Sequence, residues 1–170
     1  MSVGGIEGFV PNAFATTLGR AGLLRVATGA TRMQSVTVSR TIDAPRVAVQ
    51  AAMDDTEAFM LAAGFDDVTV DGDEIHLRNR VGIATIELTL ERVDESDATL
   101  AYEQREGIFE SMRTVYRLDD AGEAGTRVEA TTDFALDVAL VGDLLDSTII
   151  RRQRNKELEA QFDYLESAVA

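Results

Sequence analysis

A long uninterrupted helical pattern near the C-terminus constrains the fold more than any other part of this sequence. From about Val141 to Val169 the chain has no proline, and no glycine follows Gly142. Asp143 marks the predicted start, because an aspartate there caps free amides and favours the positive end of the helix dipole. At 100° per residue, the helix has one narrow apolar stripe. The stripe consists of Leu144, Leu158, Phe162, Leu165 and Val169. Such a helix is expected to cover an apolar surface formed by the rest of the chain.

Two polar residues interrupt this stripe halfway along the helix. Arg151 lies inside it and Asn155 lies at its edge. Burial of an unpaired charge is costly, so these side chains are either satisfied within a core or face a cavity. For Arg151 the alternatives are an internal ion pair or an aliphatic stem that carries the charge to the rim.

Before this helix, the sequence alternates between apolar and polar residues with the period of β-strands. A strand at residues 36–42 precedes two short helices, the first with Asp43 as its cap and Pro45 in its first turn, the second stopped by Gly64. Six further strands follow, and residues 71–73 (Asp-Gly-Asp) are typical of a hairpin turn. The alternation predicts an antiparallel sheet with one wet face and one covered face, and the long helix is the expected cover.

The first 33 residues differ from the remainder of the chain. Six glycines and Pro11 interrupt any periodicity, and three arginines against Glu7 give this segment a charge of +2. We expect residues 1–33 to be a poorly ordered extension whose deletion leaves the fold intact. We expect residues 34–170 to form one domain, because 170 residues suffice for a single domain with a substantial core.

Charge and composition narrow the possible partners. The net charge of −14 repels nucleic acid and anionic lipid, and no apolar run is long enough to span a membrane. The absence of cysteine excludes disulfides and zinc-thiolate sites. Fifteen of the sixteen basic residues are arginine, with Lys156 the exception, and a carboxylate-rich, lysine-poor chain is typical of a salt-rich, haloarchaeal-type cytoplasm. We therefore expect an acidic, halophilic, cytoplasmic protein.

The segment V-T-V-S-R-T-I-D-A-P-R-V-A-V-Q-A-A-M-D-D at residues 36–55, together with the terminal helix, resembles the helix-grip superfamily. This START-like (SRPBCC) group includes lipid carriers, pollen-allergen-like proteins and polyketide cyclases. The resemblance covers about residues 34–169 and implies an α+β helix-grip fold, in which a curved seven-stranded antiparallel sheet wraps around the C-terminal helix. It also implies a ligand cavity between sheet and helix, without a shared catalytic set. Val49-Gln50 replaces a family aromatic residue, and a pollen-allergen-type glycine-rich loop is absent, so those branches are less suitable comparisons.

On this fold, inward-facing side chains of the strands and helices would line the cavity. The candidate ligand-binding residues are Phe59, Tyr102, Gln104, Met112, Thr114, Tyr116, Thr132, Phe134, Arg151 and Asn155. No inward strand position carries a carboxylate, so Arg151 is expected to meet water, a tyrosine hydroxyl or the polar or anionic end of a ligand. The tyrosines have an alternative role as core aromatics, and Met112 and Phe134 would pack against the ligand's apolar body.

Signals for catalysis are weak. His76 is the single histidine and shares the outer face of its strand with Arg78 and Arg80, whereas a Ser-His-Asp arrangement requires a buried histidine. We predict no catalytic residue, metal or cofactor. The favoured function is binding of a small, mostly hydrophobic ligand. Two alternatives stay open, namely a cyclase- or dehydratase-like enzyme for a cyclic or polyketide-like substrate, with Tyr102 or Tyr116 as the acid, and a protein-interaction module.

The far side of the long helix carries apolar residues where a solvated face should be polar. Leu145 and Ile149 lie there, more than 100° from the core stripe. They predict contact with the N-terminal segment or with a second copy of the chain, and we favour a homodimer.

Overall fold

The computed structural model describes residues 32–81, 84–136 and 147–170 of the chain. Within them, the order is a strand, two short helices, six strands and a long helix, as predicted. The elements are β1 (Gln34–Ile42), α1 (Arg46–Asp54), α2 (Thr56–Ala62), β2 (Asp67–Asp71), β3 (Glu74–Val81), β4 (Ala84–Arg92), β5 (Leu100–Glu106), β6 (Phe109–Asp120), β7 (Thr126–Leu136) and α3 (Ser147–Val169).

The strands form one antiparallel sheet in the order β1-β7-β6-β5-β4-β3-β2. The register shifts between Thr89 and Leu90 and between Phe109 and Ser111, and such irregularities bend a sheet. The helix α3 packs against β1, α1 and α2 on the covered side of the curved sheet. The predicted helix-grip fold is therefore confirmed.

The period-2 alternation of the strands predicts the covered face correctly. Its buried side chains include Ile75, Leu77, Leu88, Leu90, Tyr102, Met112, Tyr116, Val128 and Phe134. His76 lies on the opposite face, where half of its side chain is exposed and Nδ1 is 3.3 Å from the Thr89 hydroxyl. The outer-face position predicted for this histidine is confirmed.

Local sequence signals fix two of the chain reversals. The loop between β2 and β3 has two residues, and its Gly72 has a φ of 63°, as expected of a tight Asp-Gly hairpin. Asp55 caps α2, because its carboxylate accepts a 3.2 Å hydrogen bond from the Ala58 amide. Gly64 follows the end of α2 with a φ of 99°, a conformation that glycine adopts readily.

The predicted cap of α1 is wrong. Asp43 makes no capping hydrogen bond, and Pro45 occupies the N-cap position. The corner between β1 and α1 is instead held from β7, where the Thr126 hydroxyl donates a 2.8 Å hydrogen bond to the Ala44 carbonyl. Gly125 allows this approach, because a Cβ there would collide with the carbonyl of Ile42.

An ion cluster fastens α3 to β1. The guanidinium of Arg40 pairs with three carboxylates of the helix, those of Glu159, Asp163 and Glu166, and lies 5.8 Å from the ring centroid of Phe162. These carboxylates raise the pKa of Arg40 further, with the Asp163 hydrogen bond as the largest cause. This cluster sets α3 along the edge strand β1.

Some predictions fall on residues that the structure does not describe. They concern the extension up to residue 31, the helix start at Gly142 and Asp143, and the side chains of Leu144 and Leu145.

Candidate functional site

A small cavity lies between the covered face of the sheet and α3. Its volume is about 30 Å³, room for one or two water molecules. The lining residues are Met60, Ala63, Phe65, Leu77, Leu90, Tyr102, Met112, Thr114, Tyr116, Thr132, Arg154, Glu157, Leu158 and Gln161. Five of the ten sequence candidates are among them, all from β5, β6 and β7. The cavity therefore has an apolar wall with several polar groups on one side.

Gln161 joins the helix to the sheet and to α2. The Tyr116 hydroxyl donates a 2.7 Å hydrogen bond to its amide oxygen, and its amide nitrogen donates to the Phe59 carbonyl at 3.3 Å. Only 2% of Gln161 is exposed. Burial raises the pKa of Tyr116, so this hydroxyl keeps its proton throughout the physiological range.

An ion pair on α3 closes another side of the cavity. Arg154 pairs with Glu157, and the Gln153 amide donates a 2.9 Å hydrogen bond to the other oxygen of that carboxylate. The Arg154 guanidinium also contacts β6, lying 3.7 Å from the Met112 sulfur and 5.9 Å from the ring centroid of Phe109. Burial raises the pKa of Glu157, and Arg154 offsets only part of that effect.

This pair corrects the expectation that no carboxylate faces inward. The prediction considered strand positions, whereas the buried carboxylate comes from the helix itself. Because the two charges neutralise each other, the described cavity lining carries no net charge.

Tyr102 lines the cavity and has an unpartnered hydroxyl. The residue is 1% exposed, and within the described residues its oxygen has no hydrogen-bond partner. Burial raises the pKa of Tyr102 to about 12, while Arg92 and Thr56 nearby lower it in part. Those two groups bond to each other at 2.8 Å and neither meets the hydroxyl in hydrogen-bond geometry. A buried hydroxyl without a partner costs about 1–3 kcal/mol, and this one retains a proton to donate.

The floor of the cavity contains a pair of hydroxyls on neighbouring strands. Thr114 on β6 and Thr132 on β7 face each other in the register, and their hydroxyl oxygens are 2.8 Å apart. Both residues are buried. Because each hydroxyl already has a partner, neither is a free anchor for a ligand.

Three sequence candidates lie in the core or at a turn and do not line the cavity. The buried ring of Phe59 packs edge-on against Tyr116, and that of Phe134 against Phe109, with centroids 5.3 and 5.5 Å apart. The Gln104 amide donates a 2.8 Å hydrogen bond to the Phe109 carbonyl, which stabilises the turn between β5 and β6.

The structure corrects the inward position expected for Arg151 and Asn155. Both side chains are exposed and line an outer groove beside Ser35 and Thr37 at the start of β1. The reason is that β1 is an edge strand of the sheet. A side chain of α3 that points towards β1 reaches solvent past that edge instead of the cavity.

The helix residues that do face the cavity were missed by the sequence reasoning. Arg154, Glu157 and Gln161 line it, and the buried face of α3 centres on Leu158 and Leu165. Arg154 lies four residues before Leu158 and Gln161 three residues after it, so helical spacing places both on that face. Arg151 lies seven residues before Leu158 and fits the same spacing, so helical periodicity alone could not select the residues at the cavity.

The described residues contain no group of three or more His, Asp or Glu side chains that could hold a metal ion. No helix among them is long and apolar enough to cross a membrane. The chemistry that this lining offers is hydrogen bonding from one tyrosine hydroxyl within a neutral, largely apolar enclosure.

Comparison with protein families gives one match. The sequence profile described as "Polyketide cyclase / dehydrase and lipid transport" matches residues 33–170. No curated protein sequence matches the chain.

Several solved structures share the fold. A protein from Thermus thermophilus is 20% identical with a TM-score of 0.63, and the alignment covers 80% of this chain and 97% of that one. The Zhui aromatase/cyclase from Streptomyces sp. R1128 is 20% identical with a TM-score of 0.58, covering 81% and 92%. Norcoclaurine synthase from Thalictrum flavum, in complex with dopamine and hydroxybenzaldehyde, is 12% identical with a TM-score of 0.60, covering 91% and 96%.

Proposed function

The chain belongs to the polyketide cyclase/dehydrase and lipid transport family, and from this premise we propose that it binds a small, neutral, mostly hydrophobic molecule between the sheet and α3. The observation that carries the proposal is the buried, unpartnered hydroxyl of Tyr102, a residue that lines the cavity. Buried polar groups normally have partners, so an exception beside a cavity suggests a place for an incoming acceptor. A ligand carbonyl, ether or hydroxyl oxygen would accept this hydrogen bond.

The charge balance of the lining supports a neutral ligand. Arg154 is the cation at the cavity, and Glu157 already neutralises it. An anionic ligand end would have to displace that carboxylate or leave it buried without a partner. The sequence led us to expect that Arg151 meets a polar or anionic end of the ligand. For this cavity we propose that the polar end of the ligand is neutral.

The size of the cavity implies that binding enlarges it. A volume of about 30 Å³ holds water, whereas ligand pockets are about 300–1,000 Å³. Residues 147–156 are the loosely packed part of α3. Among their described side chains, Ile150 alone is buried. Outward movement of this part, with release of Arg154 from Met112 and Phe109, would enlarge the cavity.

A cyclase- or dehydratase-like activity is the second candidate. The observation that favours it is again Tyr102, whose unpartnered hydroxyl would donate a hydrogen bond to an oxygen on which negative charge develops. The aromatase/cyclase among the structural neighbours gives the fold a precedent for this class. Turnover of a polyketide-like substrate, lost in Tyr102→Phe, would distinguish this activity from binding alone.

A protein-interaction module is the remaining alternative. Such a module would have a filled core, and the small cavity volume agrees with that. It differs from the other two in an observable way, because a filled core binds no small molecule at all.

The proposal is tested by titration with N-phenyl-1-naphthylamine, a neutral apolar fluorophore. We expect saturable fluorescence enhancement in the wild type and its loss in Met112→Trp, which fills the cavity. Ile149→Trp is the control, because it adds the same ring on α3 at a position that is 53% exposed and does not line the cavity. It should bind as the wild type does, and circular dichroism checks that both variants fold. Absence of probe binding in the wild type, or equal binding by Met112→Trp, would contradict the proposal.

The remaining partner and location expectations are also proposals. We propose a cytoplasmic, salt-adapted protein that does not bind nucleic acid, supported by the net charge of −14. The exposed Ile149 supports self-association through the outer side of α3. Sedimentation at high micromolar concentration tests this, and a monomer there would contradict a homodimer.

A further inference from the structure

We propose that α3 and β1 form a second site, outside the cavity, for the dianionic phosphate group of a small organic phosphate monoester. The site is the outer groove of about 390 Å³ that Ser35, Val36, Thr37, Thr148, Arg151, Arg152 and Asn155 line. It does not depend on the cavity, because no residue lines both.

The helix side of this groove is one continuous face. Thr148, Arg151, Arg152 and Asn155 are spaced i, i+3, i+4 and i+7, which brings them together on a helix. Ser35 and Thr37 alternate outward from β1 on the opposite wall and are exposed. The Thr37 hydroxyl is 3.0 Å from that of Thr131, so the donors that the groove offers are the two guanidinium groups, the Asn155 amide and the Ser35 hydroxyl, with no carboxylate in the lining.

The surrounding charges leave the two arginines available. Within the described residues, neither Arg151 nor Arg152 forms an ion pair, although the chain has 30 acidic residues and 16 basic ones. The next turns of α3 are different, because Arg40 alone pairs with Glu159, Asp163 and Glu166. An arrangement that only balanced charge would distribute these carboxylates among the cations. The groove instead keeps two positive charges unmatched on an otherwise anionic protein.

The chemistry of the donors selects the ligand. A guanidinium donates two parallel hydrogen bonds to a phosphate or carboxylate, and two guanidinium groups match the charge of a phosphate dianion. A carboxylate would neutralise only one of them. The groove volume lies within the range of small-molecule pockets, so a phosphate group leaves room for an organic body.

Calorimetric titration with phenyl phosphate, at fixed ionic strength and pH 7.5, tests this site. We expect binding to the wild-type protein and at least a tenfold loss of affinity in Arg151→Gln and in Arg152→Gln. Arg46→Gln is the matched control, because Arg46 is also exposed, forms no ion pair with any described residue and lines a groove with Asp43, Asp120 and Glu123. It should bind as the wild type does. Affinity should decrease at pH 5, because a phosphate monoester has its second pKa near 6 and loses one charge.

Three outcomes would overturn the proposal. Absence of phenyl phosphate binding in the wild type would show that the site does not exist. An equal loss of affinity in Arg46→Gln would show that the protein's overall charge, and not this groove, determines binding. Benzoate binding as tightly as phenyl phosphate contradicts selection for a dianion. Inorganic phosphate, titrated in parallel, should bind more weakly than phenyl phosphate. Equal affinity would contradict a contribution of the ligand's organic part to binding.

Discussion

Tyr116 on β6 and Gln161 on α3 are 45 residues apart in the chain, yet a 2.7 Å hydrogen bond joins the tyrosine hydroxyl to the amide oxygen inside the core. The same amide donates to the Phe59 carbonyl of α2, so one side chain connects sheet, terminal helix and short helix. This contact joins α3 to the sheet at the cavity that both residues line.

Tyr116→Phe should destabilise the protein. The change removes only the hydroxyl and leaves the buried Gln161 oxygen without its donor, which costs about 1–3 kcal/mol. Thermal denaturation should therefore show a decrease in Tm of several degrees for a chain of this length. Tyr102→Phe is the control, because its hydroxyl has no partner to lose and its Tm should stay equal or rise. Equal decreases in the two variants would contradict the assigned hydrogen bonding.

Arg154→Met should be far more damaging than the same change at Arg151. The first substitution leaves the buried Glu157 without its cation, and breaking a buried pair costs about 3–5 kcal/mol. The second affects an exposed side chain, where substitutions usually stay within about 0.5 kcal/mol. Chemical denaturation of both variants at pH 7 measures the difference. A larger loss at Arg151 would restore the inward position that the sequence suggested.

Glu157→Gln should have a pH-dependent effect on stability. Burial raises the folded-state pKa of Glu157 above its ordinary value of 4.5, so the folded protein binds this proton more tightly than the unfolded chain. Its contribution to the free energy of unfolding is therefore fully present below pH 4.5 and lost as pH rises through the folded-state pKa.

Glu157→Gln retains a neutral side chain at every pH. The difference in the free energy of unfolding between Glu157→Gln and the wild type should shift in favour of the variant from below pH 4.5 to pH 7, by urea denaturation across that range. If the wild type instead became more stable relative to the variant as pH rises, the attraction of Arg154 for the Glu157 carboxylate would outweigh its desolvation.

The sequence was sufficient for the elements and for the sidedness of the strands. Alternation identified β3 to β7 because a strand with one wet face repeats every two residues, and Gly72 fixed the β2–β3 turn through its backbone conformation. The cavity groups on α3 were harder to assign. A helical stripe is broad, so Arg151 and Arg154 both qualified until the position of the edge strand β1 was known. The partners of Glu157 and Gln161 depend on helix placement, which no local pattern carries.

Molar KCl should raise the Tm of the protein. Residues 34–170 carry a net charge of −16, since the N-terminal 33 residues contribute +2 to the total of −14. Salt screens this repulsion, while an exposed ion pair such as Arg105 with Glu91 contributes little stability that screening can remove. Differential scanning calorimetry in 0.1 and about 2 M KCl measures the effect. An unchanged Tm would indicate that the surface charges are already balanced in pairs.

Native mass spectrometry of the protein isolated from its own cells tests whether the cavity holds a ligand. We expect the wild-type chain to retain a neutral small molecule, and Tyr102→Phe, equally stable and expressed in the same cells, to retain clearly less of it. A wild-type protein that carries only its own mass, or a variant with full occupancy, would contradict a ligand held in this cavity by the Tyr102 hydroxyl.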